Sequence, residues 1–308
     1  MNILVTGGAG FIGSHTVDAL IARGDRVVVV DNLCTGNRDN LNPDATFYEI
    51  DIQSADLRGV IQTEQVTHIM HCAAQIDVRK SVEDPVFDAQ VNILGSINLI
   101  QRGMQSGVKQ FVFSSTGGAI YGEQDYFPAD EKHPMRPISP YGIGKLTIEN
   151  YLFYFHLQYG MGYFINRYAN VYGPRQNSKG EAGVVAIFCD RLLGGQEAVI
   201  NGEGTQTRDY VFVGDVVRAN VKALDQQSPD IVNIGTGIET DVNQIFQLIR
   251  DALGAQADEK HGPGMPGEQK RSVIDNSRAA KVFDWRPEVD LAAGIKLTTD
   301  YFREKYVG

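Results

Sequence analysis

The sequence predicts an α/β protein: a doubly wound parallel sheet, followed by a smaller mixed α/β lobe toward the C-terminus. Three observations carry that expectation. Short apolar runs suited to buried strands alternate with amphipathic helical stretches through the first half of the chain. One run, Val27-Val28-Val29-Val30, is apolar without alternation, as in a parallel strand covered on both faces. Beyond Val171 the rhythm loosens, with Gly173, Gly180, Gly183, Gly194, Gly195, Gly202 and Gly204 in quick succession.

Ile3-Leu4-Val5 reads as the first strand and runs into Thr6-Gly7-Gly8-Ala9-Gly10-Phe11-Ile12-Gly13. The amphipathic stretch from Ser14 to Arg23 reads as a helix stopped by Gly24, a residue suited to a helix C-terminus. Arg26 to Val30 is a second strand, ending at Asp31, so the opening is a βαβ unit. Thr46 to Ile50 is a third strand, ending at Asp51, and Gly59 to Glu64 lies in a helix. His68 to Cys72 is a fourth, leading into Ala73-Ala74-Gln75. Val86 to Ser106 is a long helical stretch with apolar Val91, Leu94, Leu99 and Met104. The strand Gln110 to Phe113 ends in Ser114-Ser115-Thr116, Tyr141 to Tyr159 is helical, and Phe164 to Tyr168 is a sixth strand.

In the second half, helices resume at Gly214 to Asp225, Asn243 to Leu253 and Leu291 to Tyr306. In the last, Leu291, Ile295, Thr298 and Phe302 form one buried stripe. The expected division is residues 1–170 for the sheet domain and 171–308 for the second lobe, with the chain free to cross back. A ligand is expected in the crevice at the carboxyl edge of the sheet.

The 308 residues carry a formal net charge of −10, which disfavours nucleic acid because a phosphate backbone needs clustered Lys and Arg. No apolar stretch is long enough to span a bilayer, and the start MNILVTGG lacks the regions of a signal peptide. Cys34, Cys72 and Cys189 are odd in number and have no metal-ligand spacing. They read as reduced thiols of a cytoplasmic protein, with no metal expected.

Gly7, Gly10 and Gly13 lie between a strand and a helix, each with a distinct task. One permits a tight turn, one lets backbone approach a pyrophosphate, and one lets the helix pack on its strand. The helix N-terminus that follows offers free N–H groups to phosphate oxygens. Asp31, ending the next strand, suits the two free hydroxyls of an NAD ribose and would repel the extra phosphate of NADP. Asp51 is placed to meet adenine. These features imply a Rossmann-type domain that binds NAD.

Tyr141 and Lys145 are four apart at the start of a helix that follows Ser139-Pro140, so the ammonium lies beside the phenol. That charge, joined by the charge of a bound nicotinamide, lowers a phenol from about 10 toward working pH and makes it a general base for an alcohol. Such spacing alone is common on surface helices. The glycine turn upstream, Pro140 and the Ser114-Ser115-Thr116 hydroxyls at a strand end add to it.

The motifs TGGAGFIGS, VDNLCTG, HCAAQ, SSTGGAIYG, SPYGIGK, RYANVYGPRQ and GTQTRDYVFVGDV occur in that order over nearly the whole chain. As a set they resemble the extended short-chain dehydrogenase/reductase family and, within it, the UDP-galactose 4-epimerases. The resemblance implies that Gly7, Gly10, Phe11, Ile12, Gly13, the Asp31-Asn32 pair and Asp51-Ile52 hold NAD. Ala73, Ala74 and Gln75 would line it, Asn92 would support it from a helix, and Ser114, Ser115 and Tyr168 would complete its site. Tyr141 and Lys145 match the catalytic pair. Thr116 matches the hydroxyl that holds the reacting sugar oxygen, with Ser115 the alternative because the Gly117-Gly118-Ala119 loop is one residue longer than in some members.

Asn170 matches a contact to the sugar-nucleotide diphosphate. Arg208 matches a diphosphate arginine, a bidentate and permanently charged donor; pairing with Asp209 or Asp215 is its plainer alternative. A second phosphate arginine is usual before the pair that here reads Gly267-Glu268, where this chain has Met265, so Arg271 is the substitute. The position that gates substrate size aligns with Ser272, whose small side chain leaves room for a 2-acetamido group.

The reaction implied is NAD-dependent inversion of C4 in a UDP-sugar through a 4-keto intermediate. Elimination by a 4,6-dehydratase needs an acid and a base after the threonine, where Gly117-Gly118 stand. A uronate epimerase or decarboxylase needs an extra cation, for which Arg79 could be misread. A non-catalytic NAD sensor has no use for Tyr141, Lys145 and Thr116 together. The family commonly pairs two subunits through helices like those at 86–106 and 141–159, and Phe153, Phe155 and Leu157 offer apolar surface for a homodimer.

Overall fold

The valine run lies where its composition requires, buried inside a seven-stranded sheet. The computed structural model describes residues 1–178, 183–264 and 269–307. Six strands of the sheet are β1 (Asn2–Thr6), β2 (Arg26–Asp31), β3 (Thr46–Glu49), β4 (His68–His71), β5 (Gln110–Thr116) and β6 (Gly162–Tyr168). After β7 (Asn170–Tyr172), β8 (Val199–Asn201) and β9 (Thr207–Phe212), the chain returns to it with β10 (Asp230–Ile234). The order is β10-β6-β5-β4-β1-β2-β3, and β1 pairs in parallel with both β2 and β4. Strand order therefore reverses between β1 and β4, the switch point where such sheets open a crevice at their carboxyl ends.

The helices follow the amphipathic stretches, with one refinement. The segment expected as a single helix from Val86 to Ser106 is a helix Pro85–Ala89, a π turn Gln90–Gly95 and a helix Ser96–Gln105. Asp84 caps the first, its carboxylate accepting from the Phe87 amide at 2.9 Å. The twenty-residue helix Pro140–Tyr159 starts on Ser139, whose Oγ accepts from the Gly142 amide at 3.1 Å, and ends at Gly160 with φ +71°. On it Phe153 and Leu157 are 56% and 66% exposed, whereas Phe155 is only 4% exposed and belongs to the core. Two residues turn a helix by about 200°, so Phe155 cannot share the face of its neighbours, and the expectation that it is surface fails.

The chain forms two units. The first comprises Met1–Ile120, Pro137–Arg167 and Val217–Val232; the second comprises Tyr121–Arg136, Tyr168–Val216 and Asn233–Gly308. A single cut near residue 170 thus leaves out two crossings. Residues 217–232 join the first unit through buried polar bonds: Asn220 Nδ2 donates to Thr16 Oγ1 at 3.2 Å, and Asn166 Nδ2 donates to Asn220 Oδ1 at 2.9 Å.

In the second unit β9 pairs with β7, with β11 (Glu239–Asp241) and, after β12 (Lys260–Gly262), with β13 (Arg271–Ser272). Its core packs Phe188, Phe246, Ile249, Ile295 and Phe302. Ile295, Thr298 and Phe302 are buried as their spacing predicts, with Leu291 packed at the edge. No helix among the described residues is long and apolar enough to cross a membrane.

Candidate dinucleotide and catalytic site

Each glycine of the first turn is required by a measurable approach. Gly7 has φ +71°, and a Cβ there would stand 2.7 Å from the Ala73 amide nitrogen, so the ends of β1 and β4 nearly touch. The Gly10 amide donates to the Gly7 carbonyl at 3.0 Å, and a Cβ on Gly13 would come within 2.1 Å of that same oxygen. Gly10 precedes the helix Phe11–Ala22 with no side-chain cap. The amides of Phe11, Ile12 and Gly13 open that helix and have no acceptor within it. This cradle fits the diphosphate of a dinucleotide.

Asp31 is buried at the end of β2. Its Oδ2 accepts from the Ala9 amide at 3.0 Å and its Oδ1 from the Leu33 amide at 2.8 Å. A carboxylate oxygen has a second lone pair, so Asp31 is oriented by backbone and can still accept from ribose hydroxyls. Asn32 Nδ2 donates to Asp51 Oδ2 at 2.7 Å, tying the ends of β2 and β3 together. Ile52 is buried, and its carbonyl accepts from Asn98 Nδ2 at 2.8 Å.

The loop Ala73-Ala74-Gln75 is clamped by Asn92, which sits in the π turn. The Gln75 amide donates to Asn92 Oδ1 and Asn92 Nδ2 donates to the Gln75 carbonyl, both at 2.9 Å. Such turns recur at functional sites. Asp88 Oδ1 accepts from Gln75 Nε2 at 3.0 Å and from Asn92 Nδ2 at 2.9 Å. Behind them Thr6 Oγ1 meets His71 Nδ1 at 2.7 Å, and His71 Nε2 meets Ser96 Oγ at 2.9 Å. Burial, aided by the Lys145 charge, draws His71 down to about 3, so it holds this network as a neutral ring.

At the end of β5 successive hydroxyls take different partners. Ser115 is buried and its Oγ donates to Glu149 Oε1 at 2.6 Å, which uses the hydrogen of that hydroxyl within the protein. Thr116 is half-buried, and its Oγ1 accepts from the Ala119 amide at 3.2 Å, leaving its own hydrogen to donate. Ser114 donates to Cys72 Sγ at 3.3 Å, and its carbonyl accepts from Lys145 Nζ at 2.8 Å. That Nζ lies 5.8 Å from the Tyr141 ring centre and 4.8 Å from that of Phe113.

Burial draws Lys145 down to about 8, against the opposing pull of Cys72, Asp88 and Glu149. Burial first, and the Asp88 charge second, push the Tyr141 phenol above its ordinary value. The phenolate reading therefore needs a lowering charge, which a bound nicotinamide would supply beside Lys145.

In the second unit the small sheet gathers the sugar-nucleotide candidates around β9. Arg208 stands opposite Ser272 of β13 and opposite Thr240 of β11, while Asn170 of β7 stands opposite Tyr210. Asp209 accepts from the amide and hydroxyl of Thr236 and from the Gly237 amide, and Asp215 from the amides of Glu288 and Val289. The Arg208 NH1 donates to the Thr207 carbonyl at 2.8 Å. Ser272 is buried, as is Tyr168 at the end of β6.

Arg271, the substitute phosphate arginine, has partners within the second unit. Its guanidinium makes two bonds to the Glu239 carboxylate and stacks 3.8 Å from the Phe127 ring centre, so its charge is already matched. β11 and β13 flank β9 on opposite edges, and the Glu239 carboxylate, which also accepts from Thr207 Oγ1 of β9 at 2.6 Å, meets Arg271 across that strand. Met265 and Gly267-Glu268 lie outside the described residues.

Asp88, Glu149, Arg167, His71 and Ser96 are the site residues that the sequence reading missed. One signal was available: Glu149 continues the four-residue step from Tyr141 to Lys145, and Asp88 lies one such step before Asn92.

Residues 3–235 match the model of the NAD dependent epimerase/dehydratase family. Among solved structures, a UDP-glucose 4-epimerase from Thermotoga maritima, described with UDP-glucose, is 48% identical with a TM-score of 0.97, covering 99% of each chain. The UDP-glucose 4-epimerase of Thermus thermophilus, in complex with NAD, is 43% identical with a TM-score of 0.94, over 98% of this chain and 99% of that one. A UDP-N-acetylglucosamine 4-epimerase from Methanobrevibacter ruminantium, in complex with UDP-N-acetylmuramic acid, is 34% identical with a TM-score of 0.94, over 99% of this chain and 98% of that one. With the glycine cradle, the aspartate that follows it and the Tyr141–Lys145 pair in one unit, the chain belongs to the NAD dependent epimerase/dehydratase family.

Proposed function

We propose that the protein inverts the C4 hydroxyl of UDP-glucose and UDP-galactose, and also of the N-acetylated pair. What supports this reading is that Lys145 is held by the Ser114 carbonyl at the end of β5, near Thr116 and the Tyr141 ring, in the unit that holds the glycine cradle. NAD, when bound, supplies a hydride acceptor that later returns the hydride to the sugar.

The chain's residues handle the proton and the positioning. Tyr141 takes the proton of the 4-hydroxyl and returns it from the other face after the keto sugar has turned. Lys145, held by the Ser114 carbonyl, contributes the cation that favours the phenolate, and Thr116 donates a hydrogen bond to the sugar oxygen. Asn170 and Arg208 are proposed to hold the diphosphate, and small Ser272 to admit the acetamido group. Residues 1–170 are proposed to serve the cofactor and 171–308 the sugar nucleotide, apart from the crossings described above. A homodimer is proposed through the exposed Val86, Leu94, Ile143, Phe153 and Leu157. A cytoplasmic setting is supported by three free cysteines.

The test is incubation with UDP-galactose and separation of the products. UDP-glucose supports the reading, whereas a 4-keto-6-deoxy sugar or no turnover rejects it. Tyr141→Phe should lose most activity and keep its NAD; undiminished turnover would remove the tyrosine from this role. Native mass spectrometry reads both the dimer and the retained NAD.

A further inference from the structure

Behind the Tyr141–Lys145 pair lies a buried group that the mechanism does not use. Tyr141, Lys145 and Glu149 make one stripe on the helix Pro140–Tyr159, each one turn beyond the last. Glu149 is buried and accepts from Arg167 Nε at 3.0 Å, from the Arg167 NH2 group, and from Ser115 Oγ at 2.6 Å. It thereby fastens three elements at one point: the catalytic helix, β5 through Ser115 and β6 through Arg167. Ser115 has Ser114 on one side, whose carbonyl holds Lys145, and Thr116 on the other.

We propose that Glu149 is a positioning residue of the active site, setting the end of β5 against the catalytic helix so that Ser114 holds Lys145 and Thr116 faces the substrate. This rests on the epimerase reading for the substrate but not for the geometry. A carboxylate that served only to neutralise Arg167 would need no third bond to β5. The arrangement also places a negative charge one turn from Lys145, where it helps keep the ammonium charged against burial. The other groups facing Lys145 are His71 at the end of β4, Cys72 just beyond it, Asp88 on the helix Pro85–Ala89 and Tyr141 on its own helix.

The experiment uses the NAD-loaded enzyme and three variants, Glu149→Gln, Ser115→Ala and Ser115→Thr. Ser115→Ala leaves the ion pair intact, which keeps the test informative if Glu149→Gln does not fold. The first readout is the titration of Lys145, followed by NMR of lysine labelled at its terminal carbon and assigned against Lys145→Met. Its midpoint should fall by about one unit in Glu149→Gln, by a smaller step in Ser115→Ala, and return in Ser115→Thr. The second is kcat and KM for UDP-galactose, with kcat in Ser115→Ala down about tenfold, KM and NAD content unchanged, and recovery in Ser115→Thr.

A Lys145 midpoint and a kcat unchanged in Ser115→Ala would overturn the proposal, whatever happens to thermal stability. If the unaltered enzyme fails to convert UDP-galactose, the substrate reading falls, and the Lys145 titration alone decides the role of Glu149.

Discussion

Replacing Gly13 by alanine should break cofactor binding by a distance that can be read directly. The added Cβ would stand 2.1 Å from the Gly7 carbonyl oxygen and 2.8 Å from its carbon, where ordinary contact begins at 3.4 Å. The shortfall is more than an ångström, and the obstacle is backbone rather than the end of a flexible side chain. Either the first turn of the helix Phe11–Ala22 retreats from β1 or the Gly7 peptide rotates. The helix is anchored by fully buried Val17 and Leu20, so retreat strains the core by about 1–3 kcal/mol. At ~2 °C per kcal/mol for a chain of this size, the cofactor-free protein should melt a few degrees lower. NAD should be lost more steeply, by about tenfold or more, because the amides of the helix N-terminus no longer converge on the diphosphate.

The control is Gly59→Ala. Gly59 lies within the helix Leu57–Thr63, and a Cβ there meets nothing within 4 Å. The same substitution should therefore stabilise by ~0.5–1 kcal/mol and leave NAD untouched. The assays are the NAD released from purified protein on denaturation and the melting of NAD-stripped protein. Gly13→Ala with a full complement of NAD and an unchanged melting temperature would refute the reasoning.

Asp31→Ala should weaken NAD and narrow its advantage over NADP, since the Ala9 and Leu33 amides lose their acceptor along with the ribose; titration of stripped protein with both dinucleotides reads this. The kcat–pH profile should fall on the alkaline side near pH 8. Lys145 is lowered to about 8, so it loses its charge as pH rises through that value, and the phenolate loses a supporting cation. Lys145→Met should abolish that limb along with most activity. Ser272→Tyr should narrow the substrate range: N-acetylated substrates lost about a hundredfold in kcat/KM with UDP-galactose largely kept, as a steric gate predicts. Equal losses on both would reject the gate.

Much of this protein was determined by local sequence. The valine run, the glycine spacing and the strand-terminal Asp31 are each short-range signals. A buried parallel strand, a turn with positive φ and a carboxylate two residues from the amide it accepts from all arise within a few positions of chain. The helix Pro140–Tyr159 is likewise announced by Ser139, Pro140 and Gly160 at its ends. Tertiary structure decided what depends on partners distant in sequence. It put the Ser115 hydroxyl on Glu149 and the Thr116 hydroxyl on the Ala119 amide. It matched Arg271 with Glu239, because only the pairing of β9 with both β11 and β13 brings them together. It set Phe155 in the core by rotation about a helix whose partners lie elsewhere in the chain. It also brought residues 217–232 back to the first unit, through bonds from Asn220 to residues far from it in sequence. The glycine turn is legible in sequence because backbone geometry makes it; the charge balance around Tyr141 and Lys145 came from burial, which no spacing of residues records.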